Sequence, residues 1–367
     1  MQQQEDRVQI GIIGLSLSGK STLFTAMTGS HALAHPAQSG KGQFQVATIK
    51  VPDPRLEQLV QMFQPRKVTH AIIEYLDFPG PPAGTKHPLL LVPQSREVEA
   101  LALVIRAFED DGVVHPLGGI DIPRDLDYVE TELILADLQL IENRLERLKK
   151  GGTKGERSLQ LEADLLARCQ SALLDGTSLR LLEFSGEDVK RLRGFQLYTL
   201  KPLLVIVNQG EKDMGGEVSL HYQALAATRE KQPGCRVTAV CGKLEAEIGE
   251  LPEEERAGYL QAMGIERPAL EKVITLSYEL MGLISFFTVG EDEVRAWTIP
   301  AGTPAMKAAG VIHTDLERGF IRAEVIPWED LVRVGSMAAA RDSALLRIEG
   351  KGYVVQDGEI MHVRFHL

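Results

Sequence analysis

The 367 residues, 44% of them apolar and 25% charged, suffice for two or three globular domains with a substantial core. A formal net charge of −11 argues against nucleic-acid binding over the whole surface while leaving room for a local basic patch, and no DNA partner is expected. Three cysteines (Cys169, Cys235, Cys241) without a CxxC pair exclude a disulfide framework or zinc site, and the polar start and lack of a membrane-length apolar run lead us to expect no membrane partner and a cytoplasmic location.

Val8-Gln-Ile-Gly-Ile-Ile13 reads as a buried strand. It runs into Gly14-Leu-Ser-Leu-Ser-Gly19-Lys20-Ser21-Thr22, a GxxxxGK[ST] pattern, and Thr22-Leu23-Phe24 opens a helix. Average residue frequencies give this pattern by chance in about one chain in a hundred of this length. In a strand–loop–helix setting, backbone N–H groups from Gly14 through Leu17, Ser18 and Gly19 to Thr22 surround the phosphates of a nucleoside triphosphate. Lys20 reaches the β and γ oxygens, and the Ser21 hydroxyl ligates Mg²⁺.

His31 to Gln45 is expected to be a loop, Val46 to Val51 a strand and Pro54 to Met62 a short helix. The strand Ala71 to Leu76 ends at Asp77-Phe78-Pro79-Gly80. A carboxylate there can hold Mg²⁺ directly or through water, and Gly80 leaves its N–H free to approach a γ-phosphate. A helix holding Arg96 to Ala100 and a strand from Leu101 to Arg106 continue the α/β pattern.

From Tyr128 the period changes. Ile134, Leu138, Ile141, Leu145 and Leu148 step by four and three, Gly151 to Gly155 breaks the run, and Leu161, Leu165, Cys169 and Leu173 resume it. Two antiparallel helices joined by a turn are expected. The stripe serves either to bury one helix on the other or to build a docking arm whose basic tip, Lys149 to Arg157, meets an acidic partner. Leu203 to Val207 returns to strand character, so the hairpin is inserted into the α/β domain. Asn208-Gln209-Gly210-Glu211 follows; an Asn amide and a nearby carboxylate can read a base edge. Arg236 to Val240 is a further strand, and Leu270 to Met281 a closing helix. From Leu283 short strands with Gly/Pro turns, Gly310 to His313 and Gly352 to Gln356 among them, suggest a separate α+β domain. Trp297 and Phe320 there either stack on RNA or fill the core.

Where P-loop GTPases carry NKxD, this chain carries Gln209 and Glu211. With Arg295-Ala-Trp297-Thr-Ile-Pro300, Ala309-Gly-Val-Ile-His313 to Gly319-Phe-Ile-Arg322 and Gly350-Lys-Gly-Tyr-Val-Val-Gln356-Asp-Gly358, the chain resembles the YchF/Obg-like ATPase family over nearly its whole length. The resemblance implies an α/β P-loop NTPase domain of Ras-like, Obg type (1–128 and 198–282), an inserted α-helical hairpin (129–197) and a C-terminal β-grasp, TGS-like α+β domain (283–367). It implies Mg²⁺ at Ser21 and Asp77, ATP over GTP through an NxxE motif matched by Asn208 and Glu211, and a base-contacting loop at Cys241 and Gly242. It also implies a ribosomal or RNA partner met through the hairpin and the TGS-like domain, and a water-orienting histidine at His115, whose alternative role is a structural hydrogen bond; in this sequence Lys86 and His87 are weaker candidates. The departures are as informative. The family's P-loop reads G-x-P-N-V-G-K-S-T, its first switch has no counterpart between His31 and Gln45, and its second switch becomes the proline-stiffened Pro81 to Pro88. Two functions follow: a slow NTP hydrolase acting as a switch, or a hydrolysis-deficient nucleotide-binding scaffold.

Overall fold

The computed structural model describes residues 8–31, 37–38, 44–81, 87–150, 157–213, 217–229 and 231–366. Its strands are β1 (Gln9–Ile13), β2 (Ala37–Gln38), β3 (Gln45–Lys50), β4 (Lys67–Thr69), β5 (Ile72–Asp77), β6 (Ala100–Ala107), β7 (Leu203–Gln209), β8 (Cys235–Val240), β9 (Leu283–Thr288), β10 (Glu293–Pro300), β11 (Phe320–Pro327), β12 (Arg347–Glu349) and β13 (Glu359–Phe365). Its first ten helices are α1 (Lys20–His31), α2 (Pro54–Phe63), α3 (Ile122–Lys150), α4 (Arg157–Leu174), α5 (Gly186–Leu192), α6 (Glu217–Arg229), α7 (Gly242–Glu250), α8 (Glu253–Ala262), α9 (Ala269–Leu280) and α10 (Ala305–Ile312). No helix among the described residues is long and apolar enough to cross a membrane.

Seven strands form a sheet in the order β2-β3-β5-β1-β6-β7-β8. All of β6 is buried, which is what a near-continuous apolar run meets at the centre of a parallel sheet covered on both faces. It lies parallel to β1, with Ile10 opposite Ala100, and to β7, with Leu101 opposite Leu203. The order reverses at β1, with β5 on one side and β6 on the other. Open parallel sheets bind ligands in the crevice at the carboxyl ends of such strands.

The chain divides into two compact units, one of Val8–Ala47 and Tyr75–Val273, the other holding Thr48–Glu74 and Ile274–Leu367. In the first, Ile141, Leu145 and Leu148 of α3 pack with Leu165, Leu166, Cys169 and Leu173 of α4, and Arg144 bonds Glu162 across the hairpin at 2.6 Å. Leu161, expected in this seam, is exposed; Leu166 is buried instead. The expected turn at 151–155 lies outside the described residues.

At the hairpin's root, fully buried Asp137 accepts from Arg96 Nη1 (2.7 Å), the Tyr198 N–H (3.1 Å), the Thr199 N–H (2.7 Å) and the Thr199 hydroxyl (2.9 Å). Arg96 comes from the four-residue 3₁₀ turn Pro93–Arg96 rather than from the helix expected at 96–100. The chain then turns through 97–99, with Val98 buried, and β6 begins at Ala100.

The second unit holds a sheet in the order β12-β11-β13-β9-β10-β4. Trp297 stacks on Phe286, with ring centroids 6.4 Å apart, and its Nε1 donates to Thr288 Oγ1 at 2.9 Å. Phe320 is buried in the same cluster, so both aromatics fill the core. Gly310 to His313, expected as a strand, is instead the end of α10 and its cap, since Ala305, Ala308 and Ala309 bury one helical face. Gly352 to Gln356 forms only an isolated bridge, Val354 to Pro304. The short β4 lies parallel to β10, with Val68 opposite Val294.

Candidate nucleotide site

The phosphate loop leaves the buried end of β1 and enters α1 at Lys20. Gly14 has φ +149° and Gly19 φ +91°; a Cβ would stand 2.4 Å from the Val104 carbonyl oxygen at the first and 2.1 Å from Asn208 Nδ2 at the second. Both glycines are therefore required by close approach as well as by backbone conformation. Leu17 also lies in the left-handed region, at φ +62°, with its side chain 49% exposed. Ser21 and Thr22 are exposed in the first turn of α1, where free N–H groups and the helix dipole favour an anion.

Lys20 is 7% exposed. Its Nζ donates to the carbonyls of Gly14 (3.0 Å) and Leu15 (2.8 Å), folding over the loop. Burial pushes its pKa down to about 8, and the Asp77 carboxylate opposes the shift. Ser21 Oγ donates to Asp77 Oδ2 at 2.8 Å. Asp77 Oδ1 is buried without a partner among the described residues, and burial raises the carboxyl's pKa, with the Ser21 bond working against it. A hydroxyl beside a carboxylate with a spare buried oxygen fits Mg²⁺, which takes oxygen ligands and keeps several waters. A Cβ on Gly80 would meet Lys20 Nζ at 3.8 Å and Ser16 Oγ at 3.9 Å, so Gly80 faces the loop.

Asn208 differs from the expectation of an amide free to read a base. It is 4% exposed; its Nδ2 donates to the Ser18 carbonyl (3.0 Å), and its Oδ1 accepts from the Gly242 N–H (2.9 Å). It ties the phosphate loop to the turn after β8. Glu211 remains available at the surface, with Lys243 Nζ 3.1 Å from its Oε1. Gln209 Oε1 is buried without a partner among the described residues. Cys241 is buried and caps α7 through its backbone; burial raises its thiol pKa, which keeps it protonated and unreactive.

His115 shares a small closed cleft with Leu15, Ser16 and Asp125. Its Nε2 lies 2.9 Å from Asp125 Oδ2, and its Nδ1 accepts from the Leu117 N–H at 3.2 Å. Burial lowers its pKa against the pull of Asp125. Its Nδ1 is thus occupied, while Nε2, though close to Asp125 Oδ2, makes no hydrogen bond among the described residues. His87 is exposed, and Lys86 lies outside the described residues. Sequence reasoning missed Ser16. Its N–H donates to the Pro88 carbonyl (2.9 Å), and its hydroxyl lies 3.4 Å from the Pro81 carbonyl oxygen and 3.3 Å from that of Pro88. The signal was present: a proline, the family's residue at this position, has no N–H to give.

Comparison with known proteins finds relatives along nearly the whole chain. Residues 283–366 match the family model YchF-GTPase_C, described as a protein of unknown function (DUF933). The chain is 38% identical over 363 residues to the ribosome-binding ATPase YchF of Pasteurella multocida (strain Pm70), covering 97% of this chain and 99% of that protein. It is 37% identical over 365 residues to the ribosome-binding ATPase YchF of Bacillus subtilis (strain 168), with the same coverage. The solved structure of the Schizosaccharomyces pombe YchF GTPase superposes with a TM-score of 0.84 at 30% identity, over 98% of each chain.

Proposed function

This chain belongs to the YchF/Obg-like ATPase family, and from that premise we propose that it binds Mg²⁺-ATP at the Gly14–Thr22 loop and hydrolyses it slowly, as a switch for a ribosome- or translation-linked partner. The observation that carries the reading is the buried Lys20 ammonium over the loop, beside the Ser21–Asp77 pair at 2.8 Å. Loop N–H groups and Lys20 bind and orient the phosphates. Ser21 and Asp77 hold Mg²⁺, which when bound neutralises charge on the β and γ oxygens. Glu211 accepts the base's amino group, favouring ATP over GTP, while Asn208 holds the loop beneath it and Gly242 lines the base side. The nucleotide domain falls within residues 1–128 and 198–282, less Thr48–Glu74 and the stretch from Ile274, which fold with the C-terminal unit; the hairpin, 129–197, and the C-terminal TGS-like domain, 283–367, meet the partner in the cytoplasm.

A second reading, a nucleotide-binding scaffold that does not hydrolyse, is favoured by His115, which is buried with its Nδ1 bonded to the Leu117 N–H and its Nε2 packed against Asp125, and by Pro81 standing directly after the Asp77–Gly80 motif. Calorimetric titration with Mg²⁺-ATP and Mg²⁺-GTP, with Lys20→Ala as control, tests the binding. Phosphate release with and without ribosomes separates the two readings. ATP-selective binding lost in Lys20→Ala, with release accelerated by ribosomes, is the expected result; binding without turnover in either condition leaves the scaffold.

A further inference from the structure

Ser16, in the phosphate loop, is half-buried and bonds to two places on the chain that leaves β5. Its N–H donates to the Pro88 carbonyl oxygen at 2.9 Å, and its hydroxyl lies within reach of the carbonyl oxygens of Pro81 (3.4 Å) and Pro88 (3.3 Å). A hydroxyl has one proton to give, so it serves the two oxygens in alternation, whereas the N–H is committed to Pro88. Pro88 is buried, and Leu89, Leu91 and Val92 after it pack on the core cluster that holds Leu15, Leu76 and Phe78. The Pro88 end is therefore anchored, and Ser16 draws the Pro81 end to the same place. These bonds are made between protein groups alone and need no phosphate to complete them.

Gly80, the neighbour of Pro81, stands over the ammonium that takes the terminal phosphate. A Cβ there would lie 3.8 Å from Lys20 Nζ and 3.9 Å from Ser16 Oγ. A γ-phosphate placed on Lys20 comes up against Gly80, whereas a diphosphate ends one phosphoryl group short of it. We propose that Ser16 is a positioning residue that holds Gly80 against the phosphate loop, so that the chain selects a triphosphate over a diphosphate at little ordering cost. A contact made by a segment already in place is the stronger for it, because the freedom of that segment has been given up beforehand. Where the segment is in place only part of the time, the apparent affinity falls by that fraction. The proposal rests on the reading of Gly14–Thr22 as a triphosphate site and names what selects the γ-phosphate there.

The test is calorimetric titration of the full chain with Mg²⁺-ADP and with the Mg²⁺ complex of the non-hydrolysable AMPPNP, read as the ratio of the two affinities. Ser16→Ala keeps the N–H bond to Pro88 and loses the hydroxyl, and its preference for AMPPNP should fall about threefold. Ser16→Pro loses both donors, and the preference should fall about tenfold. Ser16→Thr keeps both and should bind like the parent. ADP affinity should stay within about twofold in all three, a pattern that a merely loosened loop does not give, since it weakens both nucleotides alike. A ratio unchanged in Ser16→Ala and Ser16→Pro overturns the proposal, and so does equal weakening of the two nucleotides. A preference that rises overturns it as well, because the bonds to Pro81 and Pro88 would then obstruct the γ-phosphate. The parent chain separates the premises. One that binds ADP and AMPPNP equally loses the role of Ser16 and keeps the nucleotide site, and one that binds neither loses both.

Discussion

The Asn208 side chain donates to the Ser18 carbonyl oxygen across 3.0 Å, so the segment expected to read the base holds the loop that binds the phosphates. Asn208→Ala leaves that oxygen and the Gly242 N–H without their partner in a buried place, an expected loss of about 1–3 kcal/mol of stability. Binding of ATP and GTP should weaken together. Thermal melts and paired titrations check this; a several-fold change in the ATP-to-GTP affinity ratio would return Asn208 to base reading.

Glu211 is the opposite case. Its side chain is 43% exposed and its bond to Lys243 joins two surface groups, so it contributes little to stability. Glu211→Ala should leave the melting temperature within a degree or two and lower ATP affinity about fivefold to tenfold. Lys243→Ala frees the carboxylate and should sharpen preference for ATP. An unchanged preference in both variants would take the base contact away from this pair.

Lys20 sets a pH dependence. In the free protein its ammonium is lost as pH rises through about 8, whereas a bound triphosphate keeps it protonated. Affinity for Mg²⁺-ATP should therefore fall about tenfold from pH 7 to 9, with nearly one proton taken up on binding at pH 9 and almost none at pH 6.5. Calorimetry in two buffers of different ionisation enthalpy reads the proton directly. Affinity flat to pH 9.5 would show that the ammonium survives burial.

His115 joins Asp125 and the Leu117 N–H within a buried cleft. His115→Ala should lower stability by about 1–3 kcal/mol, since it removes a buried ring and leaves the Leu117 N–H without its acceptor, while turnover well below the melting point falls less than tenfold. A hundredfold loss of turnover at unchanged stability would make the ring catalytic.

Leu17, at φ +62°, occupies a conformation that costs a branched side chain roughly 1–2 kcal/mol. Leu17→Gly should raise stability by about half a kcal/mol or more, as the glycine's own chain entropy offsets part of the relief. A lower melting temperature would mean that the exposed leucine has a contact worth more than the strain.

The phosphate loop, Ser21 and Asp77 were legible because their chemistry depends on short, fixed spacings after two strands. The hairpin was legible from its three-and-four apolar steps, and only Leu161 fell on the wrong side. What stayed hidden depends on chain segments far apart. Asp137 is a lone acidic residue in a heptad-like run until Arg96 and the backbone at 198–199 arrive, some sixty residues away in the latter case. The engagement of His115 needs Asp125 one turn into α3. The strand β4, three residues long, carries no periodicity at all and exists because β10 pairs with it.

That pairing has a consequence for how the molecule is made. Thr69 meets Glu293 across 224 positions of sequence, and Arg55 meets Asp357 across 302. At roughly 5–20 residues per second of synthesis, Arg55 waits about 15–60 s for its carboxylate to be made. The segment between β3 and β5 therefore matures last, when the final strands leave the exit tunnel, although it is among the first stretches translated. A chain truncated near residue 280 would keep every residue of the phosphate loop and still lack the surface on which residues 48–74 fold.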